Sequence, residues 1–327
     1  MESKQEKSMS IVMVPYLAHG HVSPFYELAK KLSNKGFHIY FCSTPICLEP
    51  IRNNNNHFDH QIKLIDLQLP SSFHQQLPPH YHSTKNLPPH LMNTLLAAFD
   101  ASKPAFSDIL KTLRPELVIY DGFQPWAAEA ARELNIEAVL FITGVQSQKI
   151  PKSSTEIQAK FGKPEDVFGD VVPVGPLVQR PLDHDGDEKI MDWLNKKEAS
   201  SVVFVSFGSE NFLSQEEIEE MAHGLELSNV DFIWVVRFHA IPLQFDQPLN
   251  ANLAVDIGVA IEVPARREKK ITRQEVTKAI KTVVVEEQGK EVRRRAKEWS
   301  ENWKKKEDEE FNVAVEKLLQ LVQQSKK

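Results

Sequence analysis

Short apolar runs alternate with segments of helical period through the first half of the chain, and this alternation constrains the fold more than any other feature. Strands are expected at Ile11–Tyr16, His38–Cys42, Ile62–Leu67, Leu117–Tyr120 and Ala138–Ile142. Helices are expected at Phe25–Leu32, over one long span near Leu91–Leu113, and at Trp126–Leu134. Strands that alternate with helices build βαβ units around a parallel sheet. The first run leads into Ala18-His19-Gly20-His21-Val22-Ser23-Pro24, which sets the His21 imidazole between a strand's end and a helix's start. Open α/β sheets bind ligands in that crevice, and histidine is the side chain best suited to move a proton near neutral pH.

The second half is less regular. From Ile150 to Asp187 periodicity fades, and Val172-Pro173-Val174-Gly175-Pro176-Leu177 reads as an interdomain linker. We therefore expect an N-terminal domain over residues 1–170 and a second over 171–327. A helix at Ile190–Lys196, a buried strand at Val202–Ser206, a helix at Gln215–Leu225 and a strand at Asp231–Val236 follow. Beyond Arg237 the order fails. One amphipathic helix (Pro248–Val255) and one short strand (Val259–Val263) precede a helical, charge-dense stretch from Arg273 to Gln324. Its alternating charges suit solvated, salt-bridged helix faces. The second domain is thus short of strands.

Composition excludes several classes. A net charge of −6 argues against a nucleic-acid binder, which needs a basic surface. No apolar run approaches the roughly 20 residues that span a bilayer, and from the polar N-terminus we expect no secretory signal. The two cysteines, Cys42 and Cys47, suit neither a zinc site nor a redox pair, so we expect free thiols and a cytoplasmic protein.

Three places carry candidate chemistry. His21 is either a structural histidine or a proton acceptor. Asp121, which ends the run Leu117-Val118-Ile119-Tyr120, is either a helix N-cap or a carboxylate that orients an imidazole and stabilises its protonated form. Ser206-Phe207-Gly208-Ser209 follows a strand, where backbone N–H groups can face a phosphate. His19 lies close to His21, yet no third ligand with metal spacing accompanies them, and the histidines 74, 80, 82 and 90 lack zinc spacing. No glycine fingerprint of a dinucleotide site or P-loop occurs, which disfavours a Rossmann oxidoreductase. Between Leu67 and Pro89 a loop rich in His, Pro, Gln and Ser is long enough to shape a binding site.

Gly20-His21-Val22-Ser23-Pro24, Tyr120-Asp121 with Trp126, Val174-Gly175-Pro176-Leu177, Val203 through Ser209 and Phe245-Asp246-Gln247-Pro248-Leu249-Asn250-Ala251 together resemble the plant family-1 UDP-glycosyltransferases. The loop from Leu77-Pro78-Pro79-His80 to Leu87-Pro88-Pro89-His90 is similar to the branch that adds sugars to existing glycosides. The resemblance implies a GT-B fold of two facing Rossmann-like domains, the second lacking several elements. It implies inverting transfer of glucose from UDP-glucose to a hydroxyl of a small metabolite or its glycoside, without a metal or other cofactor, by a monomer. His21 is then the general base and Asp121 its support. Thr143 meets the donor sugar, Ser209 lies near the diphosphate, and Asp246 and Gln247 bind sugar hydroxyls, the Gln favouring glucose. The pattern also departs from the family. The Trp that stacks on uracil, the His that holds the diphosphate and the Glu that holds the ribose have no counterpart, because Phe232–Phe238 runs almost directly into Leu243–Gln247. A second gap falls near Gln148–Pro151. The alternative is a non-catalytic remnant with the donor site deleted, which at most binds acceptor-like glycosides. From the gaps we expect a weakly stable second domain and weak binding of UDP-glucose.

Overall fold

The structure, a computed structural model, describes residues 9–53, 61–85, 87–143, 172–175, 177, 188–207, 213–235, 254–263 and 271–325. The chain divides into two compact units, Met1–Gln179 with Lys306–Lys327, and Arg180–Lys305. The division at 179/180 lies close to the linker read from sequence. The last turns of the terminal helix, however, group with the first unit.

In the first unit, strands β1 (Ser10–Val14), β2 (His38–Ser43), β3 (Ile62–Asp66), β4 (Leu117–Asp121) and β5 (Glu137–Phe141) form one sheet in the order β3-β2-β1-β4-β5. Every pairing is parallel. The order reverses between β1 and β4, the topological switch point at which such sheets take their ligands. Ile11, Val12, Met13 and Val14 are fully buried, as are Leu117 and Val118. Helices cover both faces of a parallel sheet, and this explains why its central strands read as unbroken apolar runs.

The helices are α1 (His19–Ser33), α2 (Pro45–Asn53), α3 (Met92–Asp100), α4 (Lys103–Leu113) and α5 (Trp126–Glu133). Their apolar faces, among them Phe25, Leu28 and Leu32 of α1 and Phe106 and Leu110 of α4, complete the core. Three expectations need correction. Helix α1 begins at His19, not Phe25, and carries Pro24 within its second turn. The span near Leu91–Leu113 is two helices, because Pro104 has no N–H to donate and its ring opposes the carbonyl of Asp100, the last residue of α3. Helix α2, with Pro50 inside it, was not anticipated.

The second unit holds α6 (Glu188–Leu194), β6 (Val202–Val205), α7 (Gln215–Ser228), β7 (Asp231–Trp234), α8 (Arg273–Ile280) and the first part, up to Lys305, of α9 (Gly289–Ser325). Among the described residues its sheet has two parallel strands, β6 and β7. Val202–Ser206 is therefore not the buried strand expected: Phe204 is 68% exposed. Two strands alone are marginal in water. Residues 259–263 do not form the expected strand, for among the described residues no ladder reaches them. Most of the helix expected at Pro248–Val255, and the second gap near Gln148–Pro151, lie outside the described residues.

Helices α7 and α8 carry this unit's core. Each opens with a reciprocal cap, Ser214 with Glu217 and Thr272 with Glu275, satisfying N–H groups that a helix start leaves without partners. Met221, Leu225 and Val276 are buried between them. The Glu220 carboxylate takes the Arg273 backbone N–H at 2.7 Å and its Nε–H at 2.9 Å. These bonds hold the Glu220 carboxyl down to about 2.

Helix α9 differs from its sequence reading in one respect. Along its last turns Phe311, Val315, Leu318 and Val322 join the first unit's core, and Lys31 Nζ lies 5.4 Å from the Phe311 ring centre. That spacing is an apolar stripe of helical period inside a charge-dense segment.

Candidate active site

Three strand ends supply the site. After β1 the chain turns through Pro15 and Tyr16 into α1, whose first turn closes when the N–H groups of His21 and Val22 donate to Ala18 O at 3.0 and 2.9 Å. This turn carries His21. Asp121 is the last residue of β4, the strand beside β1, with Val14 opposite Tyr120 in the register. Two neighbouring parallel strands thus end at the same level, and their ends hold the imidazole and the carboxylate.

The two groups meet. His21 Nδ1 lies 2.7 Å from Asp121 Oδ2, and Asp121 is 3% exposed. Asp121 Oδ1 also accepts the Phe123 backbone N–H at 3.3 Å. With the proton on Nδ1 and donated to the carboxylate, the imidazole lone pair sits on Nε2, where it can take a proton from a bound molecule. The carboxylate then faces the imidazolium that forms. Thr143, just beyond β5, places Oγ1 3.2 Å from the same Nδ1. His21, Asp121 and Thr143 therefore come together as one cluster. Ser209, Asp246 and Gln247 lie outside the described residues. Among the described residues no group of three or more His, Cys, Asp or Glu is placed to hold a metal ion.

Sequence reading missed the ring's surroundings. Tyr16 and Phe123 both meet the His21 imidazole edge to face, at centroid distances of 5.4 and 5.3 Å. They fix its plane by packing, since aromatic pairs favour this geometry. It also missed Gln124, which is buried behind Asp121 and donates Nε2–H to Val14 O at 2.6 Å. Beneath the turn, Phe99 packs against Tyr16 and Trp126.

The loop after β3 is folded. Its 3₁₀ turns, Ser71–Phe73, Pro79–Tyr81 and Pro89–Leu91, are seated by the buried side chains of Leu69, Leu77 and Leu87. Ser83 Oγ and the Thr84 N–H both donate to Leu17 O, at 3.2 and 2.9 Å. The loop is thus tied to the segment that leads into His21. His82 is buried, with Nε2 donating to Leu77 O at 3.0 Å. Burial lowers its tendency to protonate, the Leu77 bond opposes this, and His74 and His80 add to the lowering. Cys42 and Cys47 are buried free thiols, and burial pushes Cys42 up to about 12, with Asp66 adding to the rise.

Residues 7–166 match the family model described as "Glycosyltransferase, N-terminal domain". The flavanone 7-O-glucoside 2''-O-beta-L-rhamnosyltransferase of Citrus maxima is 37% identical over 452 aligned residues, which cover 99% of this chain and 100% of that protein. UDP-glucosyltransferase 29 of Panax ginseng is 35% identical over 440, covering 98% and 99%. Among solved structures, Arabidopsis thaliana UGT89C1 complexed with quercetin superposes with a TM-score of 0.77 at 19% identity, covering 97% of this chain and 100% of that one. The fold is GT-B, as the resemblance implied. The alignment with the Citrus protein is 452 residues long against a chain of 327, so at least 125 of its positions have no partner here. Since both chains are covered almost from end to end, the shortening is internal.

Proposed function

Because this chain belongs to the plant family-1 UDP-glycosyltransferases, we propose that it transfers glucose from UDP-glucose, with inversion, to a hydroxyl of a small plant metabolite or its glycoside. The bond between His21 and Asp121 carries this reading. The acceptor hydroxyl gives its proton to His21 Nε2 as its oxygen bonds to the anomeric carbon. The bond from that carbon to the UDP oxygen breaks on the opposite face, and UDP leaves with the electron pair. Asp121 stabilises the imidazolium until the proton passes to water. An alcohol is a poor nucleophile until its proton is removed in the transition state, and this need calls for a base within hydrogen-bond reach.

Thr143 is assigned to the donor sugar, Ser209 to the diphosphate, and Asp246 with Gln247 to the sugar hydroxyls. Several relatives support a glycoside as acceptor. A beta-D-glucosyl crocetin beta-1,6-glucosyltransferase of Gardenia jasminoides is 34% identical, and a cyanidin-3-O-glucoside 2-O-glucuronosyltransferase of Bellis perennis is likewise 34%. The reading makes the chain a cytoplasmic monomer that needs no metal. No helix among the described residues is long and apolar enough to cross a membrane.

The internal shortening favours a second reading, in which the chain binds acceptor glycosides but does not turn them over. Incubation with millimolar UDP-glucose and a flavonoid or terpenoid glucoside separates the two. Release of UDP matched by a diglycoside supports transfer. Binding of the glucoside without UDP release supports the second reading.

A further inference from the structure

Gln124 is fully buried and sits where the sheet reverses its order. Its backbone N–H donates to Asp121 O at 3.2 Å, closing a tight turn. Its side-chain Nε2–H reaches across to Val14 O, the end of β1, at 2.6 Å. The register of β1 and β4 runs out at Val14 and Tyr120. The side-chain amide thus ties the two strands just past their last ladder pair, at the level where His21 and Asp121 stand.

The orientation of the amide follows from its partner. Val14 O can only accept, so the NH2 end must face it and Oε1 must point away. Among the described residues Oε1 is buried with no hydrogen-bond partner. A buried acceptor left alone is unfavourable, and an apolar side chain of the same volume would fill this space without it. Among the described residues the contact that offsets this cost is the amide's bond to Val14 O. Val14 leads within two residues to Tyr16, whose ring contacts His21, while the turn that Gln124 closes holds Asp121 Oδ1 through the Phe123 N–H. Both halves of the dyad are thereby fixed to one side chain.

We propose that Gln124 is a positioning residue that sets the separation of His21 and Asp121 by clamping the end of β1 to the turn after β4. This rests on the reading of His21 as the general base. Gln124 touches no reacting atom and acts through the two residues that do.

The test uses the whole chain with ¹⁵N-labelled histidine and needs no turnover. A short Nδ1–H bond to a carboxylate gives a downfield proton signal, assigned to His21 by its loss in His21→Gln. In Gln124→Met, which keeps the volume and removes the donor, we expect the signal to be lost or displaced upfield while thermal melting remains cooperative. If Gln124→Met does not fold, Gln124→Asn keeps the amide one methylene too short to reach Val14, and the same loss is expected. A variant that melts at a lower temperature but keeps the signal unmoved overturns the clamp and leaves Gln124 a packing residue. Absence of the signal from the unaltered chain contradicts the dyad itself, and the clamp with it.

Discussion

His21 and Asp121 are 100 residues apart in the chain and 2.7 Å apart in the fold. They meet because β1 and β4, adjacent and parallel, end at the same level on either side of the sheet's reversal. The layer beneath them is apolar and closely packed. Phe99, 1% exposed, packs between Tyr16 and Trp126. Phe99→Ala is expected to destabilise the first unit by about 3–5 kcal/mol, the usual result of emptying a large core site. Urea unfolding followed by tryptophan fluorescence measures it, and a loss below about 1 kcal/mol would show that the turn does not rest on this ring.

The loop after β3 should respond to acid. Burial, aided by His74 and His80, keeps His82 below its ordinary value of 6.5, with the Leu77 bond opposing. Between the folded and unfolded values the unfolded chain binds the extra proton, so stability rises with pH across that window. It is fully present above about 6.5 and is lost as pH falls through the folded value. Urea midpoints from pH 8 to pH 5 should decline in the unaltered chain more steeply than in His82→Gln. Parallel slopes would remove His82 from the account.

Gly224 tests the packing of α7 on α8. A Cβ there would lie 2.6 Å from Val276 Cβ and 3.0 Å from Arg273 O. Alanine gains up to about 1 kcal/mol of helix propensity over glycine, while overpacking costs about 1–3 kcal/mol. With backbone on one side the neighbour cannot withdraw, so Gly224→Ala should lower the second unit's melting temperature. A rise would mean that the helices part freely.

Much of this was legible in the sequence, and the reasons are local. The central strands are apolar from end to end because helices cover both their faces, and His21 and Asp121 stand out as polar residues at their ends. Phe204 was misread because burial of β6 depends on how many strands flank it, which composition does not report. Phe311 and Val322 were hidden by the charges between them. Gln124 gave no signal at all, since a glutamine in a turn reads as solvated. Thr143 came through the family resemblance, not through any pattern of its own.

The internal shortening makes a prediction of its own. The family resemblance implies that the missing positions include the Trp that stacks on uracil, the His that holds the diphosphate and the Glu that holds the ribose, so UDP-glucose should bind weakly. Calorimetry should give a dissociation constant in the millimolar range, and micromolar affinity would contradict this.

The central claim is that His21, held by Asp121, takes the proton of the acceptor hydroxyl. Its most direct measurement is the rate of UDP release with millimolar UDP-glucose and a flavonoid glucoside, for the unaltered chain, His21→Ala and Asp121→Asn. General-base catalysis contributes about 10²–10⁴-fold, so both variants should fall by at least about 100-fold while acceptor binding is kept. Equal rates in the unaltered chain and His21→Ala would contradict the account.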